Sequence, residues 1–318
     1  MKRRNPRHGS MQFWPRVRAK RSHARVRTWA EKGKGLLGFG GYKVGMTHAL
    51  ITDNKATSIT KGEDISIPVT VLECPPLKVA GIRFYKASIP LSDILAEKLD
   101  KELARSIALP KKGSGKKQPE QYDDIRIIVH TQPKLTGMGK KKPEIFELTL
   151  GGSKEEKLPY AMDKLGKEIA VDEVFKEGAQ LDMHAVTKGK GFQGPVKRFG
   201  ISLKAHKSEK GVREPGSLGG WSAQGHVMYR VAHAGQMGYH QRTEYNKWLI
   251  KIGSRPEEIN QKGGFLGYGL VKNPYLLVKG SLGGARKRFI KFSHAVRPKK
   301  TIPKEAPTIA YISRESKQ

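Results

Sequence analysis

A Gly-rich, Lys/Arg-rich stretch constrains this chain more than any other feature. It runs as AVTKGKGFQGPVKR from Ala185 to Arg198 and resumes as EPGSLGGWSAQGHVMYRVAHAGQMGYHQR from Glu214 to Arg242. Tight-turn glycines alternate with cations, aromatics and amides, carboxylates are nearly absent, and no apolar run is long enough to make a core. Ordering a chain costs roughly 1–2 kcal/mol of backbone entropy per residue, which apolar burial normally offsets. A segment this polar is expected to take its order from a partner, and that partner should be a polyanion.

The charge points the same way. With 61 Lys+Arg against 29 Asp+Glu the formal net charge is +32, and nucleic acid is the usual source of the missing counter-charge. The distribution is uneven. Ten Lys/Arg lie between Met1 and Thr28 with no acid before Glu31, eight acids balance eight bases between Ile51 and Pro110, and no acid occurs from Ile259 to Lys304. Charges of a merely soluble protein are interspersed. This segregation implies a neutral part facing water and basic parts facing a partner. A membrane is excluded as that partner by the lack of an apolar run of about 18 residues, and the amino terminus does not resemble a signal peptide. The chain reads as soluble and cytoplasmic. Its single cysteine, Cys74, rules out an internal disulfide and reads as a buried, inert thiol.

With 318 residues, 37% of them hydrophobic, the chain can bury a sizeable core. Strand-like runs dominate: LLGFGGYKVGM, HALITD, SIPVTVLEC, VAGIRFYKA, DIRIIVHT, IFELTLGG, QLDMHAVTK, FLGYGLVKN and PYLLVKG, bounded by Gly, Pro, Asn or Asp. Two helices are expected. One spans Ser92 to Ile107, with Leu95, Leu99, Leu103 and Ile107 on one face, and the other lies near Pro159 to Lys167. Strands first, helices in the middle and strands again predict a mainly β protein, a β-barrel core with an α/β insertion. The expected layout is a basic amino-terminal extension at 1–35, a barrel core from 36–80 and 179–296 that includes an extended Gly-rich loop at 188–246, an insertion at 81–178 and a carboxy-terminal tail at 297–318.

Catalytic motifs are decoys here. Gly189, Gly191 and Gly194 spell G-x-G-x-x-G, but a dinucleotide site also needs an amphipathic helix starting at the glycines and an acid about 20 residues on. Pro195 and Lys197-Arg198 follow instead, no such helix is expected, and Glu214 sits in a Pro-Gly loop. The kinase pattern lacks H-R-D and D-F-G downstream. No two histidines stand four apart, and His206, His226, His233 and His240 have only Glu209, Glu214 and Glu244 for company, so no metal site is expected. Cys74 precedes Pro75-Pro76, a strand end and not a nucleophile at a helix start. The expectation is no enzyme, no catalytic residue, no cofactor and no small-molecule substrate.

RNA binding suits these residue types. Cations neutralise phosphates, glycines let the backbone approach the sugar-phosphate chain, and aromatics stack on unpaired bases. The candidate contacts are Arg3, Arg4, Arg7, Arg16, Arg18, Lys20 and Arg21 in the extension, and Arg286, Lys287 and Arg288 near the carboxyl end. In the loop they are Lys188, Lys190, Lys197, Arg198, Arg213, Trp221, His226, Arg230, His240 and Arg242. Trp221 stands between Gly219-Gly220 and Ser222-Ala223-Gln224-Gly225, so its own segment offers no apolar neighbours for a core. Two other classes stay open on residues alone: an RNA-modifying or nucleotide-dependent enzyme using the Gly-rich loop, and a basic DNA-binding protein. Turnover of a nucleotide or methyl donor would mark the first, and preference for duplex DNA the second.

The stretch Phe175 to Arg198, with Phe175, Asp182, Ala185, Thr187, Gly189, Lys190, Gly191, Gly194 and Arg198, resembles the signature of the large-subunit ribosomal protein L-three family. GYKVGMTH at Gly41 to His48, HVMYRVAHAGQMGYHQRTEYNK at His226 to Lys247, RHGSMQFWPRVRAKR at Arg7 to Arg21 and YLLVKGSLGGARKR at Tyr275 to Arg288 are similar too. The inserted middle and short tail resemble the archaeal type. The resemblance implies a structural constituent of the large ribosomal subunit: a surface β-barrel with long basic extensions that penetrate ribosomal RNA toward the peptidyl-transferase centre. It implies binding early in subunit assembly, and as partners large-subunit ribosomal RNA, neighbouring large-subunit proteins and nearby translation factors. Trp221 matches the family's loop-tip tryptophan. The proline usual two residues later is Ala223 here, and Glu214 falls where relatives tend to carry positive charge.

Overall fold

The computed structural model describes residues 6–30, 33–110, 118–220 and 225–316. They divide into two compact units, one of Ser22–Ala185 with Arg242–Gln318 and one of Met1–Arg21 with Val186–Gln241. The described chain is mainly β. Its strands are β1 (Gly35–Leu36), β2 (Gly38–Thr52), β3 (Asp64–Glu73), β4 (Leu77–Lys86), β5 (Ile89–Leu95), β6 (Asp124–His130), β7 (Ile145–Gly151), β8 (Glu168–Ile169), β9 (Gln180–Val186), β10 (Gly189–Gln193), β11 (Gly235–Gly238), β12 (Gln241–Gly253), β13 (Tyr275–Lys279), β14 (Phe289–His294) and β15 (Ile309–Ile312). The α-helices among the described residues are α1 (Lys154–Lys164) and the five-residue α2 (Pro195–Phe199).

The larger unit holds two sheets. In the first, the order β14-β9-β12-β13-β3-β2 closes on itself because β14 also pairs with β2, and β15 adds to the outer half of β2. The pattern of β2 shows why. Its first eight residues are buried on both faces and its remainder alternates buried and half-buried, which makes one end interior to the unit and the other a one-sided strand. Close approach requires glycine at Gly40, where a Cβ would stand 2.1 Å from the Phe289 ring. The second sheet has the order β1-β7-β6-β4-β5 with β8 on β4. One hydrophobic cluster runs through both sheets. Phe289 of the barrel meets Phe146 of the insertion with ring centroids 5.3 Å apart, and the Tyr42 hydroxyl donates to Thr131 Oγ1 at 3.0 Å.

Two buried carboxylates in this unit hold loops in place. Glu73, buried in β3, accepts hydrogen bonds from the Tyr268 hydroxyl, from the backbone amides of Lys272 (2.9 Å) and Asn273 (3.0 Å), and from Asn273 Nδ2 (2.7 Å). Such a carboxylate fixes the loop before β13, because any other loop course would leave it unsatisfied. Asp182 does the same at the other end of the barrel, accepting from the amides of Asn246 at 2.9 Å and Val296 at 3.0 Å. Cys74 is buried, and its burial pushes the thiol pKa well up, which leaves it protonated and unreactive.

Several local expectations are corrected. The segment from Ser92 to Ile107 is no helix. Its start pairs with β4 as β5, through Ser92 opposite Phe84 and Ile94 opposite Ile82, and its end is a 3-10 turn at Lys101–Arg105 that buries Leu103. The cause is the two-residue turn Ala87-Ser88, both at positive φ (49° and 64°), which folds β5 back on β4. A hairpin partner overrides four-residue leucine spacing. The second helix begins earlier than expected, at Lys154, because Ser153 and Glu156 form a reciprocal capping box. FLGYGLVKN is no strand: Gly264, Gly267 and Gly269 all have positive φ, and only the bridge from Phe265 to Gly269 remains.

Candidate nucleic-acid interface

The smaller unit carries seventeen of the 61 Lys/Arg and only two of the 29 acids. Its polar sequence was expected to gain order only from a partner, yet its described residues are knit together internally. β10 and β11 form a two-stranded antiparallel ribbon, with Gly189 opposite Gly238 and Gln193 opposite Gly235. Helix α2 follows, bracketed by Pro195 at its start and Gly200 at φ 72° after its end, so a helix does start at the glycines, though one of five residues. Phe199 is the buried residue of α2. Trp14 lies 6.0 Å from it between centroids, Tyr229 stands edge-on to Trp14 at 5.7 Å, and the Arg16 guanidinium sits 4.1 Å over the Phe199 ring.

Two arginines substitute for the missing core. Arg198 donates from Nε to Gln236 O at 3.0 Å and from Nη1 to His233 O at 2.9 Å, while Arg16 donates from Nη1 to Arg198 O at 2.7 Å and from Nη2 to Ser10 O at 3.2 Å. A guanidinium carries five donors in a fixed fork and stacks on aromatic faces, so one side chain can fasten several backbone segments. Partial burial lowers the Arg198 pKa. The amino-terminal segment is also held by Ala19 N donating to Tyr239 O at 2.8 Å and by a 2.8 Å hydrogen bond between His240 Nδ1 and Val17 O.

The candidate contacts therefore fall into groups. Arg7, Arg18, Lys20, Arg21, Lys188, Lys190, Lys197, Arg213, His226 and Arg230 are exposed on this unit; Arg18 also lies 5.3 Å over the Tyr239 ring. Arg16, Arg198 and His240 are half-buried and tie the unit together, a role the sequence did not disclose. Glu214 faces Lys204 at 3.7 Å on the surface, a pairing worth little in water. Arg3, Arg4 and Trp221 lie outside the described residues. Arg242, Arg286, Lys287 and Arg288 belong to the larger unit. Arg286 and Lys287 are exposed on the turn before β14, where Lys287 takes φ 66°. Buried Lys43 holds that turn by donating from Nζ to the carbonyls of Leu282 and Gly284, and Arg288 O accepts from Lys43 N at 3.0 Å. The reading from sequence also missed Phe192, an exposed aromatic on β10.

Among the described residues no group of three His, Cys, Asp or Glu could hold a metal ion, and no helix is long and apolar enough to cross a membrane. What the fold does present is a cationic surface on a braced, weakly cored unit that holds 17 Lys/Arg against 2 acids, in a chain whose larger unit is also net basic, with 44 against 27. This defines a mainly β protein of the polyanion-binding class. The family model for ribosomal protein L3 matches residues 1–124 and 116–318, and the chain belongs to that family. It is 48% identical over 332 residues to the large ribosomal subunit protein uL3 of Methanococcus vannielii, across 100% of this chain and 99% of that one. The protein of the same name from Archaeoglobus fulgidus is 48% identical over 331 residues at the same coverage, and that from Methanosphaera stadtmanae 49% over 332 residues, with 98% of each chain covered.

Proposed function

We infer that this protein is a structural constituent of the large ribosomal subunit, bound there to ribosomal RNA and neighbouring ribosomal proteins. The observation that carries this reading is the concentration of uncompensated cations on the smaller unit, in a chain that matches the family over its whole length. RNA supplies the counter-charge. The exposed cations Arg7, Arg18, Lys20, Arg21, Lys188, Lys190, Lys197, Arg213 and Arg230 neutralise phosphates, Arg286 and Lys287 do so from the larger unit, and Trp221 stacks on a base. The smaller unit reaches toward the peptidyl-transferase centre, and the protein takes its place early in subunit assembly, in a cytoplasmic ribosome with translation factors nearby. It does so without catalysing a reaction.

Tagged protein expressed in archaeal cells should co-sediment with large subunits through a high-salt cushion and protect a discrete set of ribosomal RNA nucleotides from chemical probing. Protein that stays at the top of the gradient, or protects no nucleotides, would defeat the reading.

A further inference from the structure

We propose that Phe192 is a stacking site for an unpaired base of ribosomal RNA, an inference that rests on the functional reading above. Phe192 stands on β10 with 77% of its surface exposed. No aromatic ring or cation lies against its ring among the described residues, whereas Trp14, Phe199, Tyr229 and Tyr239 of the same unit are each engaged by another ring or an arginine. A lone exposed apolar side chain is ordinary on a protein surface. Its mount and its surroundings set this one apart.

The mount is firm. Phe192 lies opposite Gln236, and the next pair is Gln193 with Gly235. Gln193 Nε2 closes the turn by donating to Lys190 O at 2.7 Å, and Gln236 Nε2 is committed to Met237 O and Gly238 O at 3.1 and 2.9 Å. The Arg198 brace from Nε to Gln236 O fastens the partner strand. An aromatic ring on a fixed backbone has only two side-chain torsions left to lose, so a stacked base costs it little entropy.

The surroundings favour a nucleotide over an apolar partner. Between Asp182 and Glu209 the chain has six lysines and arginines and no acid. Gly191 and Gly194 flank the ring residue, and at both a Cβ would meet nothing within 4 Å, so a sugar-phosphate backbone can come close. The residues beside Phe192 in sequence are glycine, lysine and glutamine, and the residue opposite it on β11 is Gln236, a polar setting unlike the apolar core of a protein interface. Every base has a π-face, whereas a phosphate alone would not need the ring.

The test uses the full chain and large-subunit ribosomal RNA, with affinity measured over a salt series. Phe192→Ala and Phe192→Leu should each weaken binding about 5- to 150-fold, and Phe192→Tyr should leave it near wild type. None of the three should alter the slope of log affinity against log salt, while Lys190→Gln should reduce that slope by about 0.9. A photoreactive benzoylphenylalanine at position 192 should cross-link to ribosomal RNA in assembled subunits. Wild-type affinity in Phe192→Ala or in Phe192→Leu, or a cross-link to a protein instead of RNA, would overturn the stacking site. Failure of the unaltered chain to bind ribosomal RNA would instead overturn the functional reading beneath it.

Discussion

The two units of this molecule solve the same problem with opposite materials. In the larger one, two sheets share a continuous apolar cluster, and each buried large side chain adds about 1.5–3 kcal/mol. Its acids find cations: Arg83 reaches Asp93 at 2.6 Å and also Glu147, and Lys157 reaches Asp124 at 2.7 Å. The smaller unit has a few rings around Phe199 and fastens its strands with guanidinium-to-carbonyl hydrogen bonds, worth roughly 1 kcal/mol each in such partly hydrated surroundings. Cations there far outnumber acids, 17 Lys/Arg against Glu209 and Glu214. Apolar burial gives stability without a partner, whereas arginine bracing gives shape while leaving the surface charge unspent.

The largest test of this contrast is a core truncation. Leu277→Ala, at a fully buried position of β13, should cost about 2–5 kcal/mol, visible as a lower thermal midpoint of the main unfolding transition. A change below about 1 kcal/mol would mean that the barrel is not the cooperative unit.

Acid should come next. Burial pushes the His184 pKa down to about 4, with Asp182 opposing and Lys291 reinforcing the shift, while the ring contacts Thr243 Oγ1 at 3.0 Å and Ser293 Oγ at 3.3 Å. Burial lowers the pKa of His130 and His294 as well. The unfolded chain takes up a proton near pH 6.5 that the folded site refuses, so stability should fall as pH drops from about 6.5 to about 4 and change no further through this group below that. The His184 share is on the order of 3 kcal/mol at most. Denaturant titrations should show a shallower acid loss in His184→Gln, and an unchanged pH profile would remove His184 from the account.

The arginine brace should matter locally. Arg198→Ala should make local opening of the β10–β11 ribbon easier by about 1–2 kcal/mol, read as faster hydrogen exchange at Phe199, Gly200 and Gly238, with the main unfolding transition unmoved. Loss of protection throughout the barrel would show instead that the brace supports the larger unit.

Smallest in energy is charge placement. Neutralising Arg286 and Lys287 together should flatten the salt dependence of RNA binding by up to about 1.8 in log–log slope, while neutralising Lys98 and Lys101 in the balanced 51–110 region should leave it unchanged. Equal slopes for the two pairs would mean that net charge alone matters.

Much of this was legible in the sequence. Runs such as DIRIIVHT and PYLLVKG gave strands β6 and β13, the first because β-branched residues suit a pleated strand, the second as a short apolar run buried on both faces and bounded by Pro and Gly. Basic segments announced their partner class, because charge needs no fold to be counted. Trp221 could be singled out from its neighbours, but its position is outside the described residues, so its stacking stands on sequence alone. Phe192 went unnoticed among the glycines for the opposite reason: its residue type fits a core, and exposure cannot be read from a letter.

Composition, the order of strand-like runs and the placement of charge are set by the residues themselves, since each depends only on local chemistry and counting. They gave a mainly β chain with a charge-balanced stretch at 51–110 and uncompensated basic segments elsewhere. Pairing partners depend on residues far apart in sequence, and only the tertiary structure decided them. It turned leucines at helical spacing into a strand beside β4, and it closed the barrel by laying β14 on both β2 and β9. It also spent Arg16 and Arg198 on backbone carbonyls within their own unit. A guanidinium that will brace a two-stranded ribbon and one that will face a phosphate are the same group in sequence, and what separates them is which carbonyls the fold brings within reach.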